Sequence, residues 1–235
     1  MELAAVCERF GDGFFGQPAN AVTSVAFVVA GAGILVGGRR SGTQRDTPVR
    51  DRQTVVFALL VSGIGVGSII QHGPHPDWQA YAHDLPIVAV LAFVATDVAS
   101  DLTGRELSPA WWLVPVVAMV PVVASGATAS TIVQAVMAGA AVGLNLARVR
   151  LRPSLRGTLI LSMLTLAAGA VIGTLSDRTG LCRPDSVLQG HAIWHVLAAA
   201  ALWRLAPAIG ARRRRPPAAA RTPMLTAHPH GSVEL

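Results

Sequence analysis

Two histidines four residues apart, His191 and His195, lie in the last long apolar stretch of a 235-residue chain. Residues four apart on an α-helix share one face, with Cβ atoms about 6 Å apart. Both imidazoles can therefore reach one metal ion, as in other helical His-x-x-x-His sites. Polar side chains in a membrane-spanning helix are costly and usually functional, so the pair marks a candidate site.

A second polar cluster lies where the second apolar stretch ends and the third begins. Ser68 and His72 are again four residues apart, and His83 and Asp84 follow at the start of the next stretch. Three neutral imidazoles suit Zn²⁺ with an open fourth position for water, although iron and manganese also accept imidazole. A carboxylate nearby can take the proton of that water, and a serine hydroxyl can donate to the oxyanion.

The elements that must position these residues are predicted to be membrane helices. The chain is 52% hydrophobic and only 14% charged, whereas a soluble domain carries about a quarter charged residues. Seven stretches approach the roughly 20 residues that span a bilayer: 20–38, 53–72, 82–101, 109–126, 130–148, 156–176 and 187–206. We expect an all-α, polytopic seven-helix bundle over residues 1–206, followed by a disordered Arg/Pro/Ala-rich cytoplasmic tail, 207–235.

Arginine sets the expected orientation. The chain has no lysine, which excludes a retinal Schiff base, and its arginines concentrate in the first and fifth loops and after the last stretch. The positive-inside rule then places the N-terminus outside and the C-terminus in the cytoplasm, and makes the basic charge a topology signal rather than a sign of nucleic-acid binding. Ser68, His72, Asp84, His191 and His195 all fall near the outer face. We expect an integral, multi-pass protein of a prokaryotic plasma (inner) membrane.

Each of these residues also has a simpler interpretation. A single histidine near a membrane interface can be an anchor or a packing residue, and a serine in a helix can bond its own backbone. Asp84 can stabilise the first turn of its helix, where a carboxylate is favourable. Haem binding is disfavoured, because His191 and His195 lie on one helix and cannot sandwich a haem.

With these residues the chain resembles the alkaline ceramidase family, part of the CREST superfamily of seven-helix membrane hydrolases that includes the adiponectin-receptor-like proteins. The resemblance rests on four patches: Cys7-Glu8, Pro18 to Ser24, Ser68 to Pro86, and Leu181 to His195. It implies a zinc-dependent amidase that hydrolyses the N-acyl amide bond of a ceramide-like membrane lipid. His72, His191 and His195 would be the ligands, with Ser68 and an acid supporting the water and the oxyanion. The alternative is a seven-helix receptor or metal-dependent sensor without turnover.

The resemblance also implies that Cys7 and Cys182 form a disulfide, on the outer side where such bonds persist. The chain departs from the family in two places. Ungapped spacing from His72 puts His83 at the position of the acid, and we predict that Asp84, one residue later, takes the role. Some ceramidases bind calcium near the N-terminus; here Glu8 and Asn20 remain, but Gln17 stands where an acid is expected, which argues against calcium.

Overall fold

The chain is all-α in a computed structural model that describes residues 6–40, 48–178 and 182–211. Its helices within these ranges are α1 (Pro18–Thr23), α2 (Val25–Arg40), α3 (Pro48–His72), α4 (Gln79–Thr103), α5 (Ala110–Ala124), α6 (Ala127–Leu151), α7 (Arg156–Arg178) and α8 (Gly190–Leu205). Short 3-10 turns follow α6 at Pro153–Leu155 and α8 at Ala206–Ala208. Most of the predicted tail lies outside the described residues.

Five helical segments in the described ranges are long and apolar enough to cross a membrane: Pro18–Gly37, Arg52–His72, Gln79–Thr103, Ala127–Leu151 and Pro153–Asp177. The prediction of an all-α chain is therefore confirmed, and the length and apolar character of these helices indicate a membrane protein. The other two predicted spans correspond to α5 and α8, which have 15 and 16 residues. At 1.5 Å per residue these helices reach only about 22 and 24 Å, short of a hydrocarbon core of about 30 Å. The count of seven spans and the orientation stay predictions.

The helices pack as a ring around one apolar core. α3 packs between α2 and α4, α8 packs between α2 and α7, and contacts of α6 with α4 and α7 close the ring. α5 lies against α4 and α6, and α1 contacts α3 and α8 at the end of the bundle where the predicted ligands lie. Large buried side chains fill the centre, among them Phe27, Phe57, Val61, Phe93 and Leu159.

The outer surface of the ring is apolar. Of the most apolar stretch of Ala127–Leu151 only 17% is buried inside the protein, and of that of Pro153–Asp177 only 22%. Val136 on α6 and Leu164 on α7 are among the exposed large hydrophobic side chains. An apolar surface of this size is unfavourable in water and favourable against lipid chains. The helices can lie in lipid because their backbone hydrogen bonds are satisfied within each helix.

A buried ion-pair network stabilises the end of the bundle that lies opposite the histidines. Arg148 on α6 is fully buried, with Nε 2.8 Å from Asp101 Oδ2 and Nη1 3.3 Å from Asp97 Oδ2. Its Nη2 donates to the carbonyl oxygens of Ala208 and Ala211, at 2.8 and 3.1 Å. The packed region thus extends beyond residue 206, and Arg148, which the sequence pattern assigns to a basic loop, lies in the interior.

Candidate metal centre

Three histidines from two helices meet at one end of the bundle. His72 ends α3, and His191 and His195 lie in the first two turns of α8. Each offers one ring nitrogen, and the three nitrogens lie within 4.8 Å of one another. His72 and His195 are buried and His191 is half-buried. Among the described residues this is the one group of three or more His, Cys, Asp or Glu side chains that could share a metal ion.

Glycines let α3 and α8, the helices that carry these histidines, approach their neighbours closely. A Cβ at Gly67 on α3 would lie 1.9 Å from the carbonyl oxygen of Ala82 on α4. A Cβ at Gly65 would lie 3.0 Å from the carbonyl oxygen of Ser24, and one at Gly190 would lie 2.1 Å from Ser176 Cβ. Small residues at these crossings permit backbone approach that no larger side chain would allow, as is usual between membrane helices.

Gln17 determines which nitrogen His72 presents. The Gln17 Nε2 group donates to the carbonyl oxygen of Glu8 at 2.7 Å, so its Oε1 faces His72 and accepts from Nδ1 at 2.6 Å. A neutral imidazole carries one proton, and here that proton lies on Nδ1. His72 Nε2 is left as a buried lone pair with no hydrogen-bond partner. Such an atom is costly to bury alone and suits a metal ligand.

Acceptors engage the Nδ1 atoms of the other two histidines as well. His195 Nδ1 donates to the carbonyl oxygen of Asn20 at 3.1 Å, and His191 Nδ1 lies 3.4 Å from Asp177 Oδ2. Carbonyl and carboxylate partners of this kind fix the tautomer and ring orientation in histidine metal sites. With Nδ1 of His72 and His195 engaged in hydrogen bonds, Nε2 is the nitrogen that each has left for a metal, and a donor set of three imidazoles fits a zinc ion.

A cavity of about 250 Å³ adjoins the triad. His72 and His191 line one side, His83 and Asp84 line another, and α6 contributes Ser130. Asp84 Oδ1 accepts from His83 Nδ1 at 2.6 Å, and Asp84 Oδ2 accepts from the Ser130 hydroxyl. The His83 ring centroid lies 6.1 Å from that of His72. The two candidates for the acid position are therefore neighbours in one hydrogen-bonded pair beside the triad.

Ser68 does not line this cavity. Ser68 is buried on α3 one turn before His72, and it is not among the residues that line the cavity. Its predicted contact with an oxyanion is therefore not visible in the arrangement of the site.

Contacts of the N-terminal segment hold the start of α1 and the end of α7 beside the site. Glu8 accepts the backbone N–H groups of Ala19 and Asn20 at 2.7 and 2.9 Å, which satisfies two free donors at the start of α1. Each of the two carboxylate oxygens accepts one of these hydrogen bonds. Cys7 forms a disulfide with Cys182, and its backbone N–H donates to Asp177 Oδ1 at 3.0 Å.

Sequence reasoning missed four supporting residues. Gln17 was visible only as a departure from the family's acid, and Asp177 only as a charge at the end of an apolar stretch. Ser130 and Gln134, which donates to the Ser130 hydroxyl at 3.1 Å, are polar residues four apart in an apolar helix. That spacing is the same signal that identified Ser68 and His72.

No protein-family model matches this chain, and no curated protein matches it either. Fold and site define the class on their own: a multi-helix membrane protein with a buried three-histidine candidate metal centre beside a polar cavity.

Proposed function

We propose that this protein is a zinc-dependent membrane hydrolase that cleaves the N-acyl amide bond of a ceramide-like lipid. The observation that supports it most is the orphaned Nε2 of His72, converging with His191 and His195 next to the His83–Asp84 pair. A structural zinc site would use four protein ligands, whereas three histidines leave a position for water or substrate.

The proposal includes seven spans, with the N-terminus outside and the C-terminus in the cytoplasm of a prokaryotic plasma membrane. α1 and α2 together form the first span, and α3 to α8 supply the other six. The arginine distribution supports this orientation. The short helices α5 and α8 would be accommodated by local thinning of the bilayer or by residues flanking them.

A zinc ion held by His72, His191 and His195 would polarise the acyl carbonyl and activate a water molecule. Other groups of this protein position the three ligands. Gln17, the carbonyl oxygen of Asn20 and Asp177 hold the three imidazoles in the ligating tautomer. The reaction joins the water oxygen to the acyl carbon and breaks the C–N bond, releasing a fatty acid and an amine.

The His83–Asp84 pair is assigned the proton transfer. It takes one proton from the water and returns it to the nitrogen of the leaving amine, as a general base and then a general acid. Asp84 Oδ1 holds the Nδ1–H of His83, and Ser130 donates to the other carboxylate oxygen. Ser68 is proposed to support the oxyanion only by the family resemblance.

A lipid substrate is favoured by the size and setting of the cavity. Its volume of about 250 Å³ is below the roughly 300–1,000 Å³ of pockets that enclose a whole drug-sized ligand. It can hold a polar head group and an amide, while acyl chains remain against the apolar outer surface of the helices.

The test is fatty-acid release from a panel of N-acyl lipids by detergent-purified protein, with bound zinc measured by mass spectrometry. We expect turnover that a chelator abolishes and that zinc restores. His195→Ala should lose both zinc and turnover, and His75→Ala, a change at an exposed histidine outside the triad, should lose neither. Zinc bound without turnover on any lipid of the panel would favour the receptor or sensor.

A further inference from the structure

The cavity beside the triad carries two hydrogen-bond acceptors that the proposed chemistry does not use. Gln71 Oε1 and Gln79 Oε1 are buried and have no hydrogen-bond partner, and both residues line the cavity. Buried polar atoms in folded proteins are nearly always paired, so an unpaired one calls for an explanation. Two in one cavity point to a ligand that supplies the missing donors.

The two glutamines lie next to the residues assigned to the chemistry. Gln71 precedes His72 at the end of α3, and Gln79 begins α4 four residues before His83. Residues four apart on a helix are neighbours on one face, about 6 Å apart. A group bound to these amides is therefore about one helical turn from the bond that would be cleaved.

The charges of the cavity restrict what that group can be. No arginine occurs among the described residues that line it, and the charged lining side chain is the carboxylate of Asp84. A phosphate or carboxylate bound to the glutamines would offer their oxygens no proton and would be repelled by Asp84. Hydroxyl and amine groups donate hydrogen bonds and satisfy both oxygens.

We propose that Gln71 and Gln79 form an acceptor subsite that selects lipids by the hydrogen-bond donors of the head group. This inference rests on the proposed function for its reaction, but the subsite can be tested by binding alone. The two amide oxygens can accept a hydrogen bond from a free hydroxyl of the head group. They cannot accept one from a hydroxyl oxygen that has been alkylated or phosphorylated, because that oxygen no longer carries a proton.

The probes are N-dodecanoylserinol, which has two free hydroxyls, and its bis-O-methyl ether, which has none. Two neutral hydrogen bonds of ordinary strength correspond to about a tenfold difference in affinity. We expect the diol to bind metal-stripped protein about tenfold more tightly than the ether, and the phosphate monoester not to bind, as measured by thermal stabilisation in detergent.

Gln71→Leu with Gln79→Leu should remove the preference for the diol. Gln53→Leu is the matched control, because Gln53 Oε1 is also buried without a partner but lies 18 positions earlier on α3 than Gln71, about 27 Å away. The single variants and size-exclusion profiles guard against misfolding, since each should lose part of the preference in a protein that elutes normally.

Equal binding of the diol and ether by the wild type, or a preference that survives in the double variant, would overturn the subsite. With an active protein, the preference should appear in KM and leave kcat unchanged. A protein that binds the diol selectively and hydrolyses nothing would retain the subsite and refute the proposed function. Hydrolysis without head-group selectivity would support the proposed function and refute the subsite.

Discussion

Gln17→Leu tests whether the tautomer of His72 is controlled from outside the triad. The leucine removes the oxygen that accepts from His72 Nδ1 at 2.6 Å, so the imidazole proton is free to move to Nε2, the atom that would bind the metal. Loss of such a supporting partner typically lowers metal affinity 10–100-fold, or by about 1.4–2.7 kcal/mol. The measurement is zinc affinity, by competition with a fluorescent chelator.

Gln17→Glu is the matched control for this experiment. The carboxylate keeps an acceptor for His72 Nδ1 but, like leucine, cannot donate to the carbonyl oxygen of Glu8, which the native amide contacts at 2.7 Å. The glutamate variant should hold zinc at least as tightly as wild type, while general loosening of the N-terminal segment would weaken both variants. Wild-type zinc affinity in the leucine variant would refute the tautomer argument, and equal losses in both would reassign Gln17 to packing.

Three further predictions concern the acid, the disulfide and the ion network. Asp84→Asn should abolish fatty-acid release and leave bound zinc unchanged, because the carboxylate lies beside the triad; joint loss of zinc and turnover would make Asp84 a structural residue. Cys7→Ser removes a crosslink between positions 175 residues apart and should cost about 2–5 kcal/mol. Its melting temperature should fall and no longer respond to reductant; an unchanged melting temperature would contradict this. Arg148→Met removes a buried guanidinium from Asp97 and Asp101, although Arg152 still pairs with Asp101, and should cost about 3–5 kcal/mol. A second change, Asp97→Asn, should restore part of the lost thermal stability, and a single variant as stable as wild type would argue against the network.

The sequence predicted the helices well, because a helix that spans a membrane requires a long apolar run and hydropathy detects that run directly. It started both α4 and α6 three residues too late and ended them two and three residues too early: 82–101 and 130–148 became Gln79–Thr103 and Ala127–Leu151. Apolar runs mark the bilayer core, whereas a helix continues into the polar interface until a residue such as Gly104, with φ 65°, ends it in the left-handed conformation.

The histidines of the site could be predicted, and most of their partners could not. His191 and His195 carry their geometry in their spacing, and membrane topology supplies His72. The contacts of Gln17 with His72 and of Asn20 with His195 join residues 55 and 175 positions apart. These contacts depend on the rotation of each helix about its axis, and short-range sequence patterns carry no information about that rotation. Arg148 was assigned to a loop for the same reason, since composition does not show which carboxylates a guanidinium will meet.

The separation of 175 residues between Asn20 and His195 also has a consequence for biosynthesis. The ribosome delivers α1 and α3 to the membrane long before α8, and His191 and His195 arrive with that helix. Until it inserts, the nascent chain has one of the three histidines and no complete site. Under the proposed function, the chain is in this way inactive toward lipids in the bilayer that receives it, and it becomes competent only when α8 closes the ring.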